Sequence, residues 1–320
     1  MSKLIFLVGL PGCAKSTYAN SYANDHPNTV ILSSDDIRLQ LWGDANDQQN
    51  PSRVFDEMLK GTIHFLNEGQ DVIYDATNLV AKTRKATLAK IRKSVKEDFI
   101  AQCIFVACPL SECKRRQGDR ERKVPVEVID RMVRQFETPW YNEGWDQIDV
   151  VCGSPTKQSV DREHWRMLGE SHDNPHHTAS LEIHCANCEM NMRGALSTVK
   201  WVHERTYALL TEAAYNHDLG KHKTKAFFDS KGNPSEVAHY YNHNNVGAYL
   251  WLTGDKCNEW TTREFLYIAL LIQWHMQPFF LRDENGDYRP KFERWCEKHG
   301  FDELFCETII MLHEADKAAH

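Results

Sequence analysis

A glycine-rich turn between an apolar run and a lysine constrains this chain more than any other feature. Residues 4–8 read as a buried strand and are followed at once by the segment GLPGCAKST, residues 9–17. A strand that passes through such a turn into Lys-Ser/Thr at a helix start is the setting of a phosphate-binding P-loop, since backbone N–H groups and the helix N-terminus then surround an anion. This junction predicts an α/β fold with a phosphate site at the sheet edge.

Each residue of the turn has an expected role. Lys15 would reach the β and γ oxygens of ATP or another nucleoside triphosphate, and the Ser16 hydroxyl would ligate Mg²⁺. Ala14 stands where the usual pattern has its second glycine, so we expect Ala14 to keep a negative φ. The alternative is a chance match or a degenerate loop. The expected nucleotide-binding residues are Gly9, Gly12, Cys13, Ala14, Lys15, Ser16 and Thr17.

Apolar runs alternate with helical patterns through the first half of the chain. Candidate strands cover residues 4–8, 29–33, 71–75, 100–107 and 148–151, with helical patterns such as 53–67 and 126–136 between them. This alternation predicts a parallel sheet with helices on both faces. We assign residues 1–152 to an α/β domain of the P-loop kinase type.

The pattern changes after residue 152. Residues 153–178 are polar and rich in turn formers, which indicates a linker. Beyond them, helical patterns cover residues 181–198, 202–215, 240–253, 261–276, 291–299 and 302–319. A loop or hairpin is expected near Pro278 and Asn285-Gly286. Residues 179–320 are therefore expected to form an all-α domain.

Composition excludes several protein classes. The 320 residues suffice for two domains, and ten scattered cysteines indicate reduced thiols in the cytoplasm rather than a disulfide scaffold. No apolar run is long enough to span a membrane. We read the short apolar run at the start as a strand rather than a targeting signal, because Lys15-Ser16-Thr17 follow it. A formal net charge of −7 argues against a bulk polyanion binder, so nucleic acid would meet local basic patches.

Polar side chains follow the second and third candidate strands. Asp35 and Asp36 come after residues 29–33, and Asp75, Thr77 and Asn78 end or follow the next strand. Parallel strands end at one edge of the sheet, where doubly wound folds bind ligands. A carboxylate there can accept the proton of a hydroxyl that attacks a γ-phosphoryl group. The alternative is that Asp35 or Asp36 only caps a helix.

Two basic segments are candidates for contacts with anions. Residues 114–123 carry six basic and two acidic side chains between a strand end and a helix start, where a lid could bring arginines to a transferring phosphoryl group. Residues 82–96 carry seven Lys/Arg on one predicted helix, as a solvated face or a nucleic-acid track.

At GLPGCAKST, SSDDIR, DATN and RRQGDR…VP, residues 1–150 resemble the 5′-hydroxyl polynucleotide kinase family. The resemblance implies Asp35 as general base and Arg38 as a contact to a phosphate of the acceptor. Asp75, Thr77 and Asn78 would line the site. Arg116 and Arg120 would be lid arginines on the ATP phosphates, with Arg122 a further candidate and Arg115 an alternative register for Arg116.

Histidines and carboxylates recur at wide intervals in the second half. His217-Asp218 end a helical pattern, His184 lies on an earlier one, His243 and His275 on later ones, and Asp316 on the last. Imidazole and carboxylate ligands from separate helices can converge on one or two divalent ions, which activate water and hold a phosphate. The alternative is a set of unrelated surface or core histidines.

This order, with the segments IHCANCEM, NHDLGKH and NHNNVGAYL, resembles the HD phosphohydrolase superfamily over residues 179–320. The resemblance implies His184, His217, Asp218 and Asp316 around one metal, with Asp218 bridging to a second held by His243 and His275. His239 is an alternative to His243, and Lys221 could contact the scissile phosphate.

Together these features predict an enzyme that heals nucleic-acid ends. The kinase would phosphorylate a 5′-OH with ATP and Mg²⁺, and the HD domain would remove 2′/3′-terminal phosphates, including 2′,3′-cyclic ones, with a metal such as Mn²⁺. The partners would be RNA or DNA ends and a separate ligase, since no K-x-D-G ligase motif is present. The alternatives are a small-molecule kinase fused to a nucleotide phosphohydrolase, or a binding module gated by ATP and metal.

Overall fold

A computed structural model describes residues 1–45, 47, 49–120, 123–154, 159–175, 179–200 and 202–319. The chain divides into two compact units. The first comprises Met1–Met132 and Pro139–Lys157, and the second comprises Val133–Thr138 and Gln158–His320. In the described part of the chain, no helix is both long and apolar enough to cross a bilayer.

The first unit is built on a five-stranded parallel sheet. Its strands are β1 (Ser2–Val8), β2 (Thr29–Ser33), β3 (Asp71–Asp75), β4 (Phe99–Ala107) and β5 (Gln147–Cys152), in the order β2-β3-β1-β4-β5. Phe6 of the central strand is level with Tyr74 of β3 and Cys103 of β4. The predicted parallel sheet is confirmed. Because β1 is central, the turn that follows it lies in the middle of the carboxyl edge.

Helices connect the strands of this unit. They are α1 (Lys15–Asp25), α2 (Ser34–Trp42), α3 (Pro51–Asn67), α4 (Ala81–Ser94), α5 (Leu110–Gly118) and α6 (Val126–Arg134), whose last two residues are assigned to the second unit. Local chemistry fixes two of the starts: the Ser33 side chain caps α2, and Asn50 caps α3 with Pro51 at its first position. Asp35 and Asp36 lie in the first turn of α2 and are not its cap.

A buried ion pair fastens the loop after β3. Arg84 of α4 is fully buried and donates from Nε and Nη2 to both carboxylate oxygens of Glu143, at 2.7 and 2.6 Å. Its Nη1 donates to the carbonyls of Asn78 and Leu79, both at 2.9 Å. Arg84 is therefore not part of the exposed face suggested by the basic run at residues 82–96.

The second unit is mainly helical. Its helices are α7 (Val160–Met167), α8 (Leu181–Leu196), α9 (Glu204–Asn216), α10 (Lys221–Thr224), α11 (His243–Leu252), α12 (Thr262–Trp274), α13 (Gln277–Phe280), α14 (Arg289–His299) and α15 (Glu303–Lys317). Helices α11 and α12 are buried along most of their length, and Trp251 and Phe265 pack between them. The sequence-based helices agree with these bounds to within a few residues.

The structure differs from the sequence-based organisation in two places. Helix α7 lies inside the segment predicted as a linker, and its buried Glu163 pairs with His222 at 2.5 Å. A polar segment can thus form a structural helix when its charges are paired. The second unit also contains an antiparallel hairpin, β6 (Lys225–Phe228) and β7 (Pro234–Tyr240), so the expectation of an all-α domain is wrong in this detail.

We predict that Arg84→Met lowers the free energy of unfolding of the first unit by about 3–5 kcal/mol, because it leaves the Glu143 carboxylate buried without its cation. Native-state hydrogen exchange of the β1 and β3 amides would measure the loss. The control is Lys85→Met on the exposed face of the same helix. Equal protection in both variants would contradict a clamping role for Arg84.

Candidate functional site

The glycine-rich turn joins the end of β1 to α1. The Lys15 ammonium lies 3.0 Å from the carbonyl oxygen of Gly9 and 3.0 Å from that of Leu10, so it folds back over the loop that carries it. Cys13 is buried beneath the loop, and burial raises the pKa of its thiol. The Lys15 ammonium thus lies over the loop, beside the N-terminus of α1.

Ala14 adopts a left-handed backbone conformation, with φ 77° and ψ 27°. The expectation of a negative φ is therefore wrong. The chain must turn sharply between Gly12, at φ 86°, and the first residue of α1, and the turn imposes this conformation whatever side chain is present. An L-residue there costs roughly 1–2 kcal/mol relative to the right-handed region. The backbone is therefore strained at Ala14, the position where the usual P-loop pattern has glycine.

Ser16 and Asp75 form the next part of the site. The Ser16 hydroxyl donates to Asp75 Oδ2 at 3.0 Å, which links the start of α1 to the end of β3. Burial raises the pKa of Asp75, against the effect of the Lys15 ammonium and the Ser16 hydroxyl. A hydroxyl and a carboxylate at the sheet edge are the oxygen ligands that Mg²⁺ prefers. Asp75, expected to contact the substrate, is thus placed as a partner of the predicted magnesium ligand.

Asp35 and Arg38 form a pair on the first turns of α2. Arg38 Nη1 lies 2.9 Å from Asp35 Oδ1 and donates to the carbonyl of Ser34 at 3.2 Å. The Arg38 side chain is buried, whereas that of Asp35 is 45% exposed. The guanidinium therefore fixes a carboxylate that remains open to a ligand.

The structure distinguishes between Arg115 and Arg116, the two adjacent candidates for a lid arginine. Both arginines pair with Glu112. Arg116 Nη1 also donates to the carbonyls of Gly12 and Gly153 at 3.0 and 2.9 Å, whereas Arg115 is exposed and pairs with Asp119. Arg122 lies outside the described residues.

These groups line one cavity of about 680 Å³, within the size range of ligand pockets. The predicted residues on its wall are Gly12, Ala14, Lys15, Ser16, Thr17, Asp35, Arg38, Asp75, Thr77, Arg116 and Arg120. Three others serve the loop instead. Gly9 N–H donates to the carbonyl of Thr77 at 3.1 Å, Asn78 donates to that of Leu7 at 2.7 Å, and Cys13 packs below.

In the second unit, the predicted histidines and aspartates converge. The described residues contain three overlapping groups with ligand atoms close enough for one ion, and together they comprise His184, His217, Asp218, His243, His275 and Asp316. The two histidine pairs divide the two oxygens of Asp218. His184 and His217 Nε2 both lie 3.3 Å from Oδ2, while His243 and His275 Nε2 lie 3.1 and 3.7 Å from Oδ1.

The orientation of the rings favours cations at these positions. Nδ1 of His217 lies 2.7 Å from the carbonyl oxygen of Ala214, and Nδ1 of His275 lies 2.7 Å from that of Ile272. A neutral ring that donates a hydrogen bond through Nδ1 has its lone pair on Nε2. Nε2 atoms face each other at 3.2 Å in His184–His217 and 3.3 Å in His243–His275. Two ligands about 2.1 Å from one ion and roughly 100° apart are separated by about 3.2 Å. The residues present therefore fit a divalent metal.

Burial opposes protonation of His217, but the Asp218 and Asp316 carboxylates raise the pKa of its ring well above the ordinary value, so a metal ion would displace a proton there. Burial, with the neighbouring His217 and His243 rings, lowers the pKa of His275 to about 3, so its imidazole is neutral, the form that binds metal. Burial opposes ionisation of Asp218, but the Lys221 ammonium, 2.6 Å away, and His217 hold the pKa of its carboxyl well below the ordinary value.

The neighbouring residues place the two remaining candidates. Lys221 begins α10, and its ammonium is 5.4 Å from the centre of the Tyr240 ring. His239 stacks on Tyr241 and lies 3.2 Å from the Ser235 hydroxyl, and it belongs to none of the three ligand groups. The structure thus brings His243, not His239, to the cluster.

Two glycines near the sites were not found from the sequence. An added Cβ would lie 2.1 Å from the Cys13 carbonyl oxygen at Gly153, and 2.0 Å from the His243 carbonyl oxygen at Gly220. Both contacts are between segments distant in sequence. The sequence shows Gly220 within HDLGKH, but only the fold shows that the backbone of His243 packs against it.

We predict that Ala14→Gly stabilises the first unit by about 0.5–1 kcal/mol, because glycine relieves the left-handed strain at some cost in chain entropy. ATP affinity should be kept or improved. Urea denaturation and calorimetric ATP titration measure the two effects. The matched control is Ala86→Gly in the middle of α4, which should cost about 1 kcal/mol. A destabilising Ala14→Gly would contradict the strain argument.

We also predict that Gly220→Ala weakens binding of a divalent transition metal by the second unit at least tenfold, because the added Cβ displaces the backbone of His243. Mn²⁺ titration followed by elemental analysis measures the loss. Gly194→Ala is the control, since a Cβ there on α8 meets open space. Unchanged metal binding in Gly220→Ala would contradict the claim that the close approach of Gly220 to His243 positions the ligand cluster.

Known proteins resemble parts of this chain. Residues 4–139 match a family model described as AAA domain. A curated relative from Methanococcus maripaludis, L-seryl-tRNA(Sec) kinase, is 27% identical over 165 residues, or 48% of this chain and 60% of the relative. The chain thus spans less than two thirds of that relative.

Solved structures resemble similar shares of this chain. The Pnkp1/Rnl/Hen1 RNA repair complex contains a chain that is 26% identical and covers 42% of this chain and 43% of its own, with a TM-score of 0.36. A fungal RNA kinase is 15% identical over 49% of this chain and 77% of its own, with a TM-score of 0.38. The loop geometry and sheet order, rather than these partial likenesses, identify the fold. The amino-terminal part of the chain is an α/β unit with a parallel five-stranded sheet and a glycine-rich turn of the P-loop type.

Proposed function

We propose that this chain heals nucleic-acid ends with two activities. The first unit would transfer the γ-phosphoryl group of ATP to a 5′-hydroxyl of RNA or DNA. The second would hydrolyse 2′/3′-terminal phosphates, including 2′,3′-cyclic ones, with a divalent metal such as Mn²⁺. The observation that carries the proposal is the position of Asp35 and Arg38 in the same cavity as Lys15 and Ser16.

The donor side of that cavity suits a nucleoside triphosphate. Lys15 can exchange its contacts with loop carbonyls for phosphate oxygens, and the helix N-terminus beside it favours an anion. Mg²⁺ held by Ser16 and Asp75 would neutralise charge on the phosphates as the bond to the leaving oxygen breaks. Arg116 and Arg120 stand on the cavity wall, where they can meet the transferring group.

The acceptor side suits a hydroxyl that comes with a phosphate. Asp35 would accept the proton of the attacking hydroxyl, and Arg38, 2.9 Å away, orients its carboxylate. The same guanidinium would bind the phosphate 3′ to the acceptor nucleoside. A free nucleoside offers no such phosphate, and this favours a nucleic-acid end over a small alcohol.

The second unit would supply the complementary step. The ligand groups around Asp218 would hold one or two divalent ions that activate water and polarise a phosphate ester. Lys221 is close enough to this cluster to bind a phosphate oxygen. The products, a 5′-phosphate and a free 3′-hydroxyl, are the ends that a ligase requires, so a separate ligase is the expected partner.

A second candidate acceptor follows from the Methanococcus maripaludis relative. That protein is named for phosphorylation of a serine carried by tRNA. Its match to this chain favours an acceptor hydroxyl attached to RNA, whether that hydroxyl is a 5′ end or belongs to an amino acid. The acceptor would then be an aminoacyl hydroxyl rather than a 5′ end.

An oligonucleotide with 5′-OH and 3′-phosphate ends, given ATP, Mg²⁺ and Mn²⁺, tests the proposal. We expect wild type to change both ends. Lys15→Ala and Asp35→Ala should lose 5′ labelling by at least 100-fold and keep 3′ dephosphorylation, because they act in separate clusters. Asp218→Ala should do the reverse. RNA and DNA versions measure the preference.

The controls separate the alternatives. Arg115→Ala, outside the cavity wall, should leave both activities unchanged. Labelling of seryl-tRNA without labelling of the oligonucleotide would favour the second candidate, and labelling of nucleosides alone would favour a small-molecule kinase. Binding of ATP and metal with no turnover on any of these would leave a binding module.

A further inference from the structure

Helix α3 carries an exposed aromatic side chain that is not among the residues the helix buries. The helix is amphipathic and buries Val54, Met58, Thr62 and Leu66 against the unit. Phe55, next to the fully buried Val54, is 39% exposed and lies on the wall of the kinase cavity. A large apolar ring on the wall of a polar cavity offers a surface for a ligand with a flat apolar face.

The sheet order places Phe55 on one side of that cavity. The glycine-rich loop follows the central strand, and β2 is at one edge of the sheet. Helices α2 and α3 pack on each other and on β2, so Phe55 is on the side of Asp35 and Arg38. Arg116 and Gly153 belong to segments after β4 and β5, on the other side. Phe55 therefore flanks the acceptor groups rather than those of the lid.

We propose that Phe55 is the platform on which the terminal base of the acceptor strand stacks. The inference rests on the proposed 5′-hydroxyl kinase activity and adds what the acceptor must be. With the hydroxyl at Asp35 and the adjacent phosphate at Arg38, the base of the same nucleotide is the remaining flat group. Stacking on an aromatic ring tolerates any base, and so selects a nucleotide end without reading its sequence.

Charge and chemistry favour a nucleotide over a simpler acceptor. A phenyl ring supplies no hydrogen-bond partner to a sugar or amino-acid alcohol, whereas it can stack on a base. A hydrocarbon acceptor would not need the Arg38 guanidinium beside the carboxylate. A nucleotide uses all three side chains at once, since it carries a hydroxyl, a phosphate and an aromatic base.

The test compares two acceptors in wild type and Phe55→Ala. One is a 5′-OH oligonucleotide, and the other has an abasic residue at the 5′ position with the same sugar and phosphate. We expect Phe55→Ala to lower kcat/KM for the intact acceptor by about 5- to 100-fold, mostly through KM. Wild type should lose a similar factor on the abasic acceptor. Replacing the intact acceptor by the abasic one should lower kcat/KM of Phe55→Ala little further, because the substitution and the missing base remove the same interaction.

Further variants separate stacking from folding. Phe55→Trp should keep activity and Phe55→Leu should lose it, although both retain apolar volume. KM for ATP and thermal unfolding should stay at wild-type values in all three. Leu39→Ala is the matched control, since Leu39 is 53% exposed on α2 and is not on the cavity wall.

The outcomes distinguish this inference from the function on which it rests. If wild type phosphorylates no oligonucleotide, the proposed kinase function and this inference both fail. If wild type is active but Phe55→Ala and the abasic acceptor both match it, the function stands and the stacking platform is wrong. Independent, additive losses from the two changes would also overturn it.

Discussion

Burial of ionisable groups is the constraint on which both units depend, because a buried polar or charged group must be met by hydrogen bonds or by opposite charge. In the first unit, Asp75 is buried at a strand end and receives the Ser16 hydroxyl. In the second, the Asp218 carboxylate is surrounded by four imidazoles and the Lys221 ammonium. Each arrangement fixes chain segments that are far apart in sequence. The polar groups of each site are thus part of what holds the fold at that point.

The fold of the first unit follows closely from its sequence. The strand at 71–75 and that at 29–33 were predicted at their observed bounds, because apolar β-branched runs end at polar turn residues. The convergence at the carboxyl edge was also predictable, since parallel strands share one direction. The long helices of the second unit were equally visible. Their periodicity extends over three or more turns, and capping residues such as Thr261 and Asp302 mark their starts.

What the sequence did not predict depends on contacts between distant segments. The left-handed conformation of Ala14 is set by the turn and not by the residue itself. The role of Arg84 requires Glu143, 59 positions later, to lie beside it, and a basic run gives no sign of which member turns inward. The hairpin after α10 was missed because Lys225–Phe228 is only four residues long. Helix α7 was predicted to be part of a linker because most of its residues are charged or polar and only a few, such as Met167, are buried apolar side chains.

The division of the Asp218 oxygens between two histidine pairs has a consequence for ion loading. One carboxyl group serves both positions, so its rotation about a single bond reorients both halves together. An ion at the first position would hold this group in place and so prepare the second, while the repulsion between two cations would act in the opposite sense. Positive cooperativity that arises from this ordering would therefore be lost when Asp218 is neutralised, whereas the repulsion between two cations would remain.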